Sequence, residues 1–307
     1  MDGEAGTTGL QIRQRLAERA DIALMSISPE RRKDESARRE RLNAADVVIL
    51  CLPDEAARQA VGLIANPAVR VIDASSAHRT APGWVYGFPE MAPGQRQAIA
   101  AAKRLSNPGC YATGFVALVR PLVSAGILPA DWPVSVNAVS GYSGGGRAMI
   151  EEFEDDASPR FTSARFRAYA LELGHKHVPE MGLRAGLTRP PLFTPSVGRF
   201  YNGMIVEVPL PLHALPGAPG LADVRSVLAA AYKGHGFVEL GDHQTPTLDP
   251  EALNNTNRMQ LYVSGSDELG QARLVAILDN LGKGAAGAAV QNLNIMLGLP
   301  EGAGLAW

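Results

Sequence analysis

The first third of the chain alternates short apolar runs with amphipathic helical patterns, and this alternation constrains the fold more than any other feature. Continuous apolar runs predict strands covered on both faces at Ile22–Ile27, Asp46–Pro53 and Val69–Ser75. Between and around them, "TGLQIRQRLAER" and "DEAARQAVGLIA" have the periodicity of amphipathic helices. Strands that alternate with helices indicate a parallel sheet of the doubly wound type.

The middle of the chain has a different pattern, in which strands follow one another with few helices between them. Its apolar runs predict strands of a second, mixed or antiparallel sheet at Val134–Ser140, Leu192–Val197, Gly203–Leu210 and Met259–Gly265. Residues Ala222–Gly234 predict a helix on this sheet. The last segment predicts a strand in "LVAILDN", a tight turn, and a helix rich in small residues.

Length and composition agree with two globular domains and exclude several classes of protein. A chain of 307 residues can bury a large core, and a net charge of −2 gives no electrostatic reason to expect nucleic acid. Two cysteines cannot form a disulfide framework, and the N-terminus "MDGEAGTTG" is polar. The longest apolar runs are far shorter than the roughly 20 residues of a membrane helix. We expect a cytoplasmic protein that binds neither nucleic acid nor membrane.

One of the two cysteines, Cys110, lies in "SNPGCYATGFVAL", where a Pro-Gly turn gives way to an apolar run. Phe115, Leu118 and Leu122 recur at helical spacing, so Cys110 is expected at or near a helix N-terminus. There the unpaired N–H groups and the helix dipole lower the pKa of a thiol, which provides a nucleophile near neutral pH. The alternative is a buried cysteine that acts as a small apolar residue.

The N-terminal stretch "GEAGTTG" places Gly3, Gly6 and Gly9 three residues apart at the start of a predicted helix. Glycines there let the backbone approach a pyrophosphate, which the helix N-terminus holds. Such a turn follows a buried strand of about five residues, yet only Met1 and Asp2 precede it here. We therefore expect the natural protein to begin upstream with an apolar strand.

The stretch "SISPERRKDES" carries no acidic residue at the tip of the second predicted strand. An acid at this position binds the ribose 2′-hydroxyl of NAD, whereas serine and arginine suit the 2′-phosphate of NADP. Ser28, Arg31 and Arg32 are therefore candidate ligands of an NADP phosphate. The alternative is a solvated charged loop.

The motif "GHKHVPE" places His175 and His177 two residues apart, with Glu180 close behind. Three interpretations compete: structural histidines, metal ligands, and an acid–base partner for Cys110. The remaining histidines are scattered and supply no further ligands, so we expect no metal site.

Three further segments carry polar residues or glycines of the kind that bind ligands. "DASSAHRT" follows a predicted strand and brings hydroxyl groups and Arg79 to the strand end where such sheets bind ligands. "SGYSGGGR" ends at Arg147 and is either a flexible connector or an anion-binding loop. "LDNLGKGAAGAAVQN" carries Asn280 and Lys283 at the entry to the last helix.

Together these motifs resemble those of the N-acetyl-γ-glutamyl-phosphate reductases, in their shorter bacterial form. The resemblance covers nearly the whole chain, in the order "DGEAGTTGLQI", "LCLPDEAA", "DASSAHRT", "YGFPE", "SNPGCYATG", "SGYSGGGR", "GHKHVPE" and "LDNLGKGAAGAAVQN". Aspartate-semialdehyde dehydrogenases share the general plan, but "GHKHVPE" is similar to the acetylglutamyl enzymes instead.

The resemblance implies an α/β fold with two domains. A Rossmann NADP-binding domain spans residues 1–109 and is completed by the C-terminal helix 283–307. Residues 110–282 form an α+β catalytic and oligomerisation domain like that of glyceraldehyde-3-phosphate dehydrogenase.

The resemblance and the motifs assign roles to individual residues. The family's catalytic cysteine and histidine fall on Cys110 and His175. The residues expected to bind the cofactor are Gly3, Gly6, Thr7, Thr8, Gly9, Ser28, Arg31, Leu52, Pro53, Ser75 and Asn280. The residues expected to bind the substrate are Arg79, Asn107, Arg147 and Glu180.

The expected reaction is the NADPH-dependent reduction of N-acetyl-L-glutamyl 5-phosphate to the 5-semialdehyde and phosphate, in arginine biosynthesis. It passes through a Cys110 thioester, with His175 as the thiolate's ion-pair partner and proton donor. A homo-oligomer that acts on this small molecule is implied. Two alternatives stay open: a reductase of aspartyl phosphate or carrier-bound aminoadipyl phosphate, and a noncatalytic NADP-binding regulator on the same fold.

Overall fold

The structure, a computed structural model, describes residues 1–32, 34–242 and 244–307. Contacts within the chain divide it into two compact units. Unit 1 comprises residues 1–89, 94–108 and 285–306, and unit 2 comprises residues 90–93, 109–284 and 307. In the part of the chain that the structure describes, no helix is both long and apolar enough to cross a membrane.

The elements are numbered along the chain. The helices of unit 1 are α1 (Thr7–Ala17), α2 (Glu35–Ala44), α3 (Asp54–Gly62), α4 (Gln95–Ala101) and α9 (Gly287–Leu297). Its strands are β1 (Val47–Leu50), β2 (Arg70–Asp73), β3 (Val85–Tyr86) and β4 (Arg104–Ser106). The helices of unit 2 are α5 (Cys110–Ser124), α6 (Gly146–Glu154), α7 (Val178–Ala185) and α8 (Leu221–Tyr232). Its strands are β5 (Ser135–Gly141), β6 (Phe166–Ala168), β7 (Leu192–Gly198), β8 (Met204–Pro211), β9 (Val238–Leu240), β10 (Met259–Ser266) and β11 (Gln271–Leu278). Short 3-10 turns cover Pro29–Arg31, Tyr142–Gly145 and Leu212–Ala214, and a π-helical turn covers Gly282–Ala286.

Unit 1 contains a parallel sheet in the order β1-β2-β4-β3. Its strands are apolar and buried, with Leu50 in β1 and Ile72 in β2 fully enclosed, as expected of strands covered on both faces. Helices α1 and α4 pack against α9, which also contacts β2. The predicted strands at β1 and β2 and the predicted helices at α1 and α3 are confirmed.

The predicted strand over Ile22–Ile27 is wrong, because this segment belongs to no strand in the structure. The position beside β1 is taken by Asp2, which forms a parallel bridge to Leu50. Near this segment, the Met1 ammonium group donates to the Met25 carbonyl at 3.3 Å. A strand needs a partner for its backbone groups, and an apolar run by itself does not supply one.

Unit 2 contains a mixed seven-stranded sheet in the order β6-β7-β5-β8-β11-β10-β9. β5 pairs in parallel with β7 and antiparallel with β8, and β8, β11 and β10 continue as antiparallel neighbours. The strands predicted for the middle of the chain correspond to β5, β7, β8 and β10, and the predicted helix on this sheet is α8. These predictions are confirmed.

Helix α5 is the buried centre of unit 2 and packs on β8 and β11. At Gly114 the helix lies so close to β8 that an added Cβ would be 2.9 Å from a methyl group of Val206. Tyr232 of α8 donates a hydrogen bond from its hydroxyl to the Ala117 carbonyl at 2.8 Å. The helix is therefore fixed in position by the sheet on one side and by α8 on another.

Candidate active site

Cys110 is the first residue of α5, and Gly109 is the N-cap residue. The extended backbone of Gly109 (φ −79°, ψ 145°) turns the chain into the helix. Cys110 is half-buried, and neither it nor Cys51 forms a disulfide. The predicted location at a helix N-terminus is confirmed. The positive end of a 15-residue helix favours a thiolate at this position.

Glu180 anchors the residue before the cysteine. It lies in the first turn of α7, is 1% exposed, and accepts a hydrogen bond from the Gly109 N–H at 2.8 Å. A carboxylate that binds a main-chain N–H at a helix end interacts favourably with the helix dipole as well. Glu180 therefore joins α7 to the start of α5, one residue from the sulfur.

The two histidines lie in an aromatic cluster beside the same helix end. His175 makes edge-to-face contacts with Tyr111, Tyr169 and Phe193, at ring-centroid distances of 5.7, 5.8 and 5.1 Å. His177 is buried and lies 4.8 Å from His175, ring to ring. Because Tyr111 directly follows Cys110 in α5, both imidazoles lie next to the residue after the cysteine.

The backbone after His175 holds both its carbonyl and its ring. The N–H of Val178 donates to the His175 carbonyl at 3.0 Å, and this turn leads into α7. Within the turn, the N–H of His177 donates to Nδ1 of the His175 ring at 3.1 Å. The orientation of the imidazole is thus set by the main chain.

Two tyrosines of the cluster form a hydrogen-bonded pair close to the sulfur. The Tyr169 hydroxyl donates to the Tyr111 hydroxyl at 3.0 Å. Burial raises the pKa of Tyr169 to about 12, and a negative charge on Cys110 contributes to this rise. Burial raises the pKa of Tyr111 as well, with the charges of Tyr169 and Cys110 as further causes. Both phenols therefore stay neutral near a Cys110 thiolate.

A glycine of the segment before α9 lies against the back of Cys110. A Cβ added to Gly284 would be 2.7 Å from the Cβ of Cys110, and Gly284 donates its N–H to the Asp279 carbonyl at 2.9 Å. The two residues lie so close together that position 284 has no space for a side chain, and the backbone of Gly284 packs directly against Cys110.

Next to this glycine, Lys283 and Glu90 form a buried ion pair in unit 2. The Nζ atom of Lys283 lies 2.8 and 2.9 Å from the two carboxylate oxygens of Glu90. Their side chains are only 1% and 2% exposed. The Lys283 ammonium group also lies 5.4 Å from the ring centroid of Phe237. Buried ions need such partners, because an isolated charge in apolar surroundings is strongly unfavourable.

In unit 1, the glycines of the N-terminal turn have the tight packing expected of a phosphate-binding turn. Gly3 has φ +86°, and a Cβ there would be 2.2 Å from the Cys51 carbonyl oxygen. Gly6 is the N-cap residue of α1, whose first two residues are Thr7 and Thr8. A Cβ on Gly9 would be 2.5 Å from the Gly3 carbonyl oxygen. The glycines thus let the main chain pack closely at the start of α1, and the N-terminus of a helix is a place where an anion can bind.

A small cavity of about 170 Å³ lies at this turn. Gly3, Arg32 and Leu52 are among the residues that line it, and Arg32 lies 3.5 Å from the Glu4 carboxylate. Arg31 is not among the lining residues and pairs with Asp34 at 3.2 Å. Ser28 precedes the 3-10 turn Pro29–Arg31 and Pro53 precedes α3.

Polar residues at the end of β2 form a hydrogen-bonded cluster. Asp73 accepts hydrogen bonds from the N–H and the hydroxyl of Ser75, and its carboxylate lies 2.6 Å from Nδ1 of His78. Arg79 is buried and donates from Nε to the Asn107 carbonyl at 3.1 Å. The Asn107 side chain donates to the Ala285 carbonyl at 2.9 Å. Predicted residues Ser75, Arg79 and Asn107 therefore belong to a single connected region of unit 1.

Two predicted residues lie apart from these groups. Arg147 lies on α6 with its side chain 85% exposed, and pairs with Glu151 one turn further along. Asn280 is buried in unit 2, where it accepts from the Gly203 N–H and donates to the Ser143 hydroxyl. These hydrogen bonds connect the loop after β5 with the loop before β8. Among residues 1–32, 34–242 and 244–307, no group of three or more His, Cys, Asp or Glu side chains could hold a metal ion.

Sequence reasoning missed the aromatic cluster and the ion pair. Tyr111 adjoins Cys110 and could have been suspected from its position alone. Tyr169 lies 58 residues from Tyr111, and Glu90 lies 193 residues from Lys283. Neither contact follows from a local pattern, although "YGFPE" and "GKGAAG" were already among the motifs that carry the resemblance.

Comparison with known proteins first defines the class. The family model "Semialdehyde dehydrogenase, NAD binding domain" matches residues 3–100, and "Semialdehyde dehydrogenase, dimerisation domain" matches residues 110–280. A solved structure of aspartate semialdehyde dehydrogenase from Francisella tularensis superposes with a TM-score of 0.70 at 14% identity, covering 96% of this chain and 98% of that one. The two family models together match most of the chain, so the chain belongs to the semialdehyde dehydrogenase family, and the predicted fold class is confirmed.

Curated relatives then narrow the class. N-acetyl-gamma-glutamyl-phosphate reductase 2 of Nostoc sp. is 54% identical over 315 residues, covering 99% of this chain and 98% of the relative. N-acetyl-gamma-glutamyl-phosphate reductase of Brucella ovis is 54% identical over 303 residues, covering 97% and 98%. The chain belongs to the N-acetyl-gamma-glutamyl-phosphate reductase family, as the sequence motifs indicated.

Proposed function

We propose that the protein is an NADPH-dependent reductase that converts N-acetyl-L-glutamyl 5-phosphate into N-acetyl-L-glutamate 5-semialdehyde and phosphate, a step of arginine biosynthesis. The observation that carries the chemistry is Cys110 at the N-terminus of α5, beside the aromatic cluster that holds His175. The substrate is proposed from membership of the family, whose named relatives share 54% identity over nearly the whole chain.

The cysteine makes the reaction feasible by dividing it into two steps. The Cys110 thiolate attacks the acyl carbon, the bond from that carbon to the phosphate oxygen breaks, and phosphate leaves with uptake of one proton from water. A thioester between the substrate and Cys110 results. The N–H groups at the N-terminus of an α-helix point along the axis out of the helix, so those at the start of α5 can stabilise the oxyanion formed during attack.

Glu180 and Gly284 keep the sulfur in place during this step. Glu180 binds the N–H of Gly109, and Gly284 lies against the Cβ of Cys110. A nucleophile held on both sides loses less freedom on reaching the reactive geometry. Glu180 is therefore proposed to position the cysteine, in addition to the substrate contact expected from the sequence.

The N-terminal turn of unit 1 fits a dinucleotide. A Cβ on Gly3 would collide with the Cys51 backbone and one on Gly9 with the Gly3 backbone, so only glycines let this turn close so tightly at the start of α1. Arg32 lines the cavity at the turn. The glycines with Thr7 and Thr8 would hold the pyrophosphate, and Arg32 with Ser28 would face the 2′-phosphate. When bound, NADPH supplies the hydride that reduces the thioester. Leu52, Pro53 and Ser75 are proposed as further contacts.

We further propose that the protein works in the cytoplasm as a homo-oligomer on small molecules, without nucleic acid or membrane. A match to a dimerisation domain covers residues 110–280. Unit 2 also exposes large apolar side chains on and after β6, where Phe166, Leu171 and Leu173 are 59%, 79% and 48% exposed. They line or adjoin a cavity of about 360 Å³ beside β5 and β7, which a second copy would cover.

The test runs the reaction in the oxidative direction. Phosphate-dependent reduction of NADP+ is measured with N-acetylglutamate semialdehyde and with aspartate semialdehyde, on the wild-type protein and on Cys110→Ser. We expect a clear preference for the acetylated substrate, and loss of reduction in Cys110→Ser with NADPH binding retained. A preference for aspartate semialdehyde would refute the substrate, and substantial activity in Cys110→Ser would refute the thioester.

A further inference from the structure

Asp279 is a buried acidic residue of unit 2 that has no part in the proposed reaction. It follows β11 and is 1% exposed. Residues 279–284, which we call the supporting segment, run from Asp279 to Gly284, which packs against Cys110. Within the part of the chain that the structure describes, N–H donors surround the carboxylate and no cation pairs with it. A buried carboxylate is unfavourable without such donors, so their origin indicates what it does.

Both oxygens of the Asp279 carboxylate accept hydrogen bonds, and the donors come from separate segments of unit 2. Oδ2 accepts from the Asn202 side-chain amide at 2.8 Å and from the Asn255 N–H at 2.6 Å. Oδ1 accepts from the Leu281 N–H at 2.8 Å. Asn202 precedes β8, Asn255 precedes β10, and Leu281 lies in the supporting segment. The carboxylate thus connects the supporting segment to two loops of the sheet.

The main chain of the supporting segment is held by the same residue. The carbonyl of Asp279 accepts from the Gly284 N–H at 2.9 Å, which closes the segment into a turn. A Cβ added to Gly282 would be 2.1 Å from the Thr256 carbonyl oxygen, so this part of the turn lies directly against the loop before β10. At the other end, a Cβ added to Gly284 would be 2.7 Å from the Cβ of Cys110. The turn is therefore packed between the loop and the cysteine, and a movement of the turn displaces one of them.

We infer that Asp279 is a positioning residue for the nucleophile of the proposed reaction. Its carboxylate holds the supporting segment where Gly284 packs against Cys110, and this packing sets the direction in which the sulfur meets the acyl carbon. A displacement of about 1 Å from the reactive geometry can cost about a hundredfold in rate. The inference rests on the proposed function for the identity of the acyl carbon. The hydrogen bonds of Asp279 do not depend on that identity.

The role requires a carboxylate, because both oxygens face donors. An asparagine at position 279 has one oxygen and one NH2 group, so either the Leu281 N–H or the donors of Asn202 and Asn255 would face an NH2 group. A buried donor without an acceptor is unfavourable, and the supporting segment would move to relieve it. Asp279→Asn therefore keeps the size of the side chain and should release the segment from one of its anchors.

The first experiment compares the kinetics of wild type, Asp279→Asn and a control, Asp267→Asn, in the full-length protein. Asp267 lies at the opposite end of β11, where its carboxylate accepts from the Leu221 N–H at 2.8 Å and its carbonyl accepts from a glycine N–H at 3.1 Å. The reaction is phosphate-dependent reduction of NADP+ with N-acetylglutamate semialdehyde. We expect kcat of Asp279→Asn to fall at least about tenfold with KM within about threefold, and kcat of Asp267→Asn to stay within about twofold of wild type. Unchanged kcat in Asp279→Asn, or an equal loss in Asp267→Asn, overturns the inference.

A milder variant keeps the test decisive if Asp279→Asn does not fold. Asn202→Ala removes one donor and leaves the carboxylate with the N–H groups of Asn255 and Leu281. Its folding is checked by urea unfolding followed by circular dichroism. We expect kcat to fall at least about threefold with KM retained, and unchanged kcat in the folded variant overturns the positioning role.

The second experiment separates the position of the sulfur from its ionisation, without any measurement of activity. The rate of Cys110 alkylation by iodoacetamide is followed against pH in the same proteins. In Asp279→Asn we expect the pH of half-maximal rate to stay within about 0.3 unit of wild type, because α5 and its positive end remain. The rate at the high-pH plateau should rise at least about threefold, because the half-buried cysteine loses close packing on one side.

The outcomes distinguish the inference from the proposed function. A shift in the pH of half-maximal alkylation that accounts for the whole loss of kcat would show that Asp279 acts on thiolate formation, and it would overturn the positioning role. An unchanged plateau rate in Asp279→Asn overturns it as well. Absence of wild-type activity on N-acetylglutamate semialdehyde would refute the proposed function, and the plateau rate would still decide whether Asp279 holds the supporting segment against Cys110.

Discussion

The buried ion pair next to the cysteine can be tested by removing its positive partner. Lys283→Met keeps a long apolar side chain over Phe237 and leaves the Glu90 carboxyl without the ammonium group that lies 2.8 Å from it. Because Glu90 is only 2% exposed on its side chain, water cannot replace that partner. The loss should therefore appear in the free energy of unfolding.

The loss of unfolding free energy in Lys283→Met has an upper bound, because the Glu90 carboxylate that has lost its partner can be protonated and so become neutral. Protonating a group with an ordinary glutamate pKa of about 4.3 costs about 1.4 kcal/mol for each pH unit above that value, hence about 3.7 kcal/mol at pH 7. Loss of one partner of a buried pair costs about 3–5 kcal/mol. We expect a destabilisation of about 3–4 kcal/mol at pH 7.

The sign of the pH dependence follows from the same argument. Protonation of the stranded carboxyl becomes cheaper as the pH falls, so the deficit of Lys283→Met relative to wild type should shrink to about 1 kcal/mol at pH 5. The assay is urea unfolding followed by circular dichroism at both pH values. The double variant Lys283→Met with Glu90→Gln should recover most of the loss, because the charge that needs a partner is gone.

A matched control comes from an exposed pair. Arg147→Met removes a partner of Glu151 on the surface of α6 and should cost less than about 1 kcal/mol. A cost below about 1 kcal/mol for Lys283→Met at pH 7, or a deficit that does not change between pH 7 and 5, would refute the assignment of an uncompensated buried charge.

Three further predictions concern the surroundings of the sulfur. Gly284→Ala should lower kcat at least about tenfold with a smaller effect on NADPH binding, because the new methyl group would lie 2.7 Å from the Cβ of Cys110; unchanged kcat would contradict this packing. Iodoacetamide at about pH 7.5 should modify Cys110 and leave Cys51 intact by mass spectrometry, because burial raises the pKa of Cys51 to about 12; equal labelling would contradict the assigned difference. Glu180→Ala should destabilise the protein by about 1–3 kcal/mol because it leaves the buried Gly109 N–H without its acceptor, whereas Glu180→Gln keeps an acceptor oxygen and should lose less; equal losses in urea unfolding would argue against the hydrogen bond as the cause.

Local sequence patterns were sufficient for the elements that carry the site. The Pro-Gly turn before an apolar helical run located Cys110 at the start of α5, and four apolar runs located β5, β7, β8 and β10. These predictions succeed because turn residues and side-chain periodicity act over a few residues.

Features that depend on distant partners could not be predicted in the same way. Ile22–Ile27 has the composition of a strand, but a strand forms only beside another strand, and the sequence does not say which segment is available. The contacts of His175 with Tyr111 and Phe193 likewise depend on the final packing of α5 against its neighbours. The main-chain contact of His177 with the His175 ring spans two residues, yet it requires a turn geometry that "GHKHVPE" does not specify by itself.

The close packing of α5 on β8 at Gly114 makes the position of Cys110 in unit 2 sensitive to small movements of the helix. The same helix fills the centre of the apolar interior and ends at Cys110, so a small slide of the helix would displace the sulfur from its neighbours long before the sheet comes apart. Heating or mild denaturant should therefore abolish turnover ahead of any spectroscopic sign of unfolding. Enzyme activity then also reports how firmly α5 is packed in the interior. A substitution far from Cys110 can inactivate the protein by loosening this packing, without changing the residues that carry out the reaction.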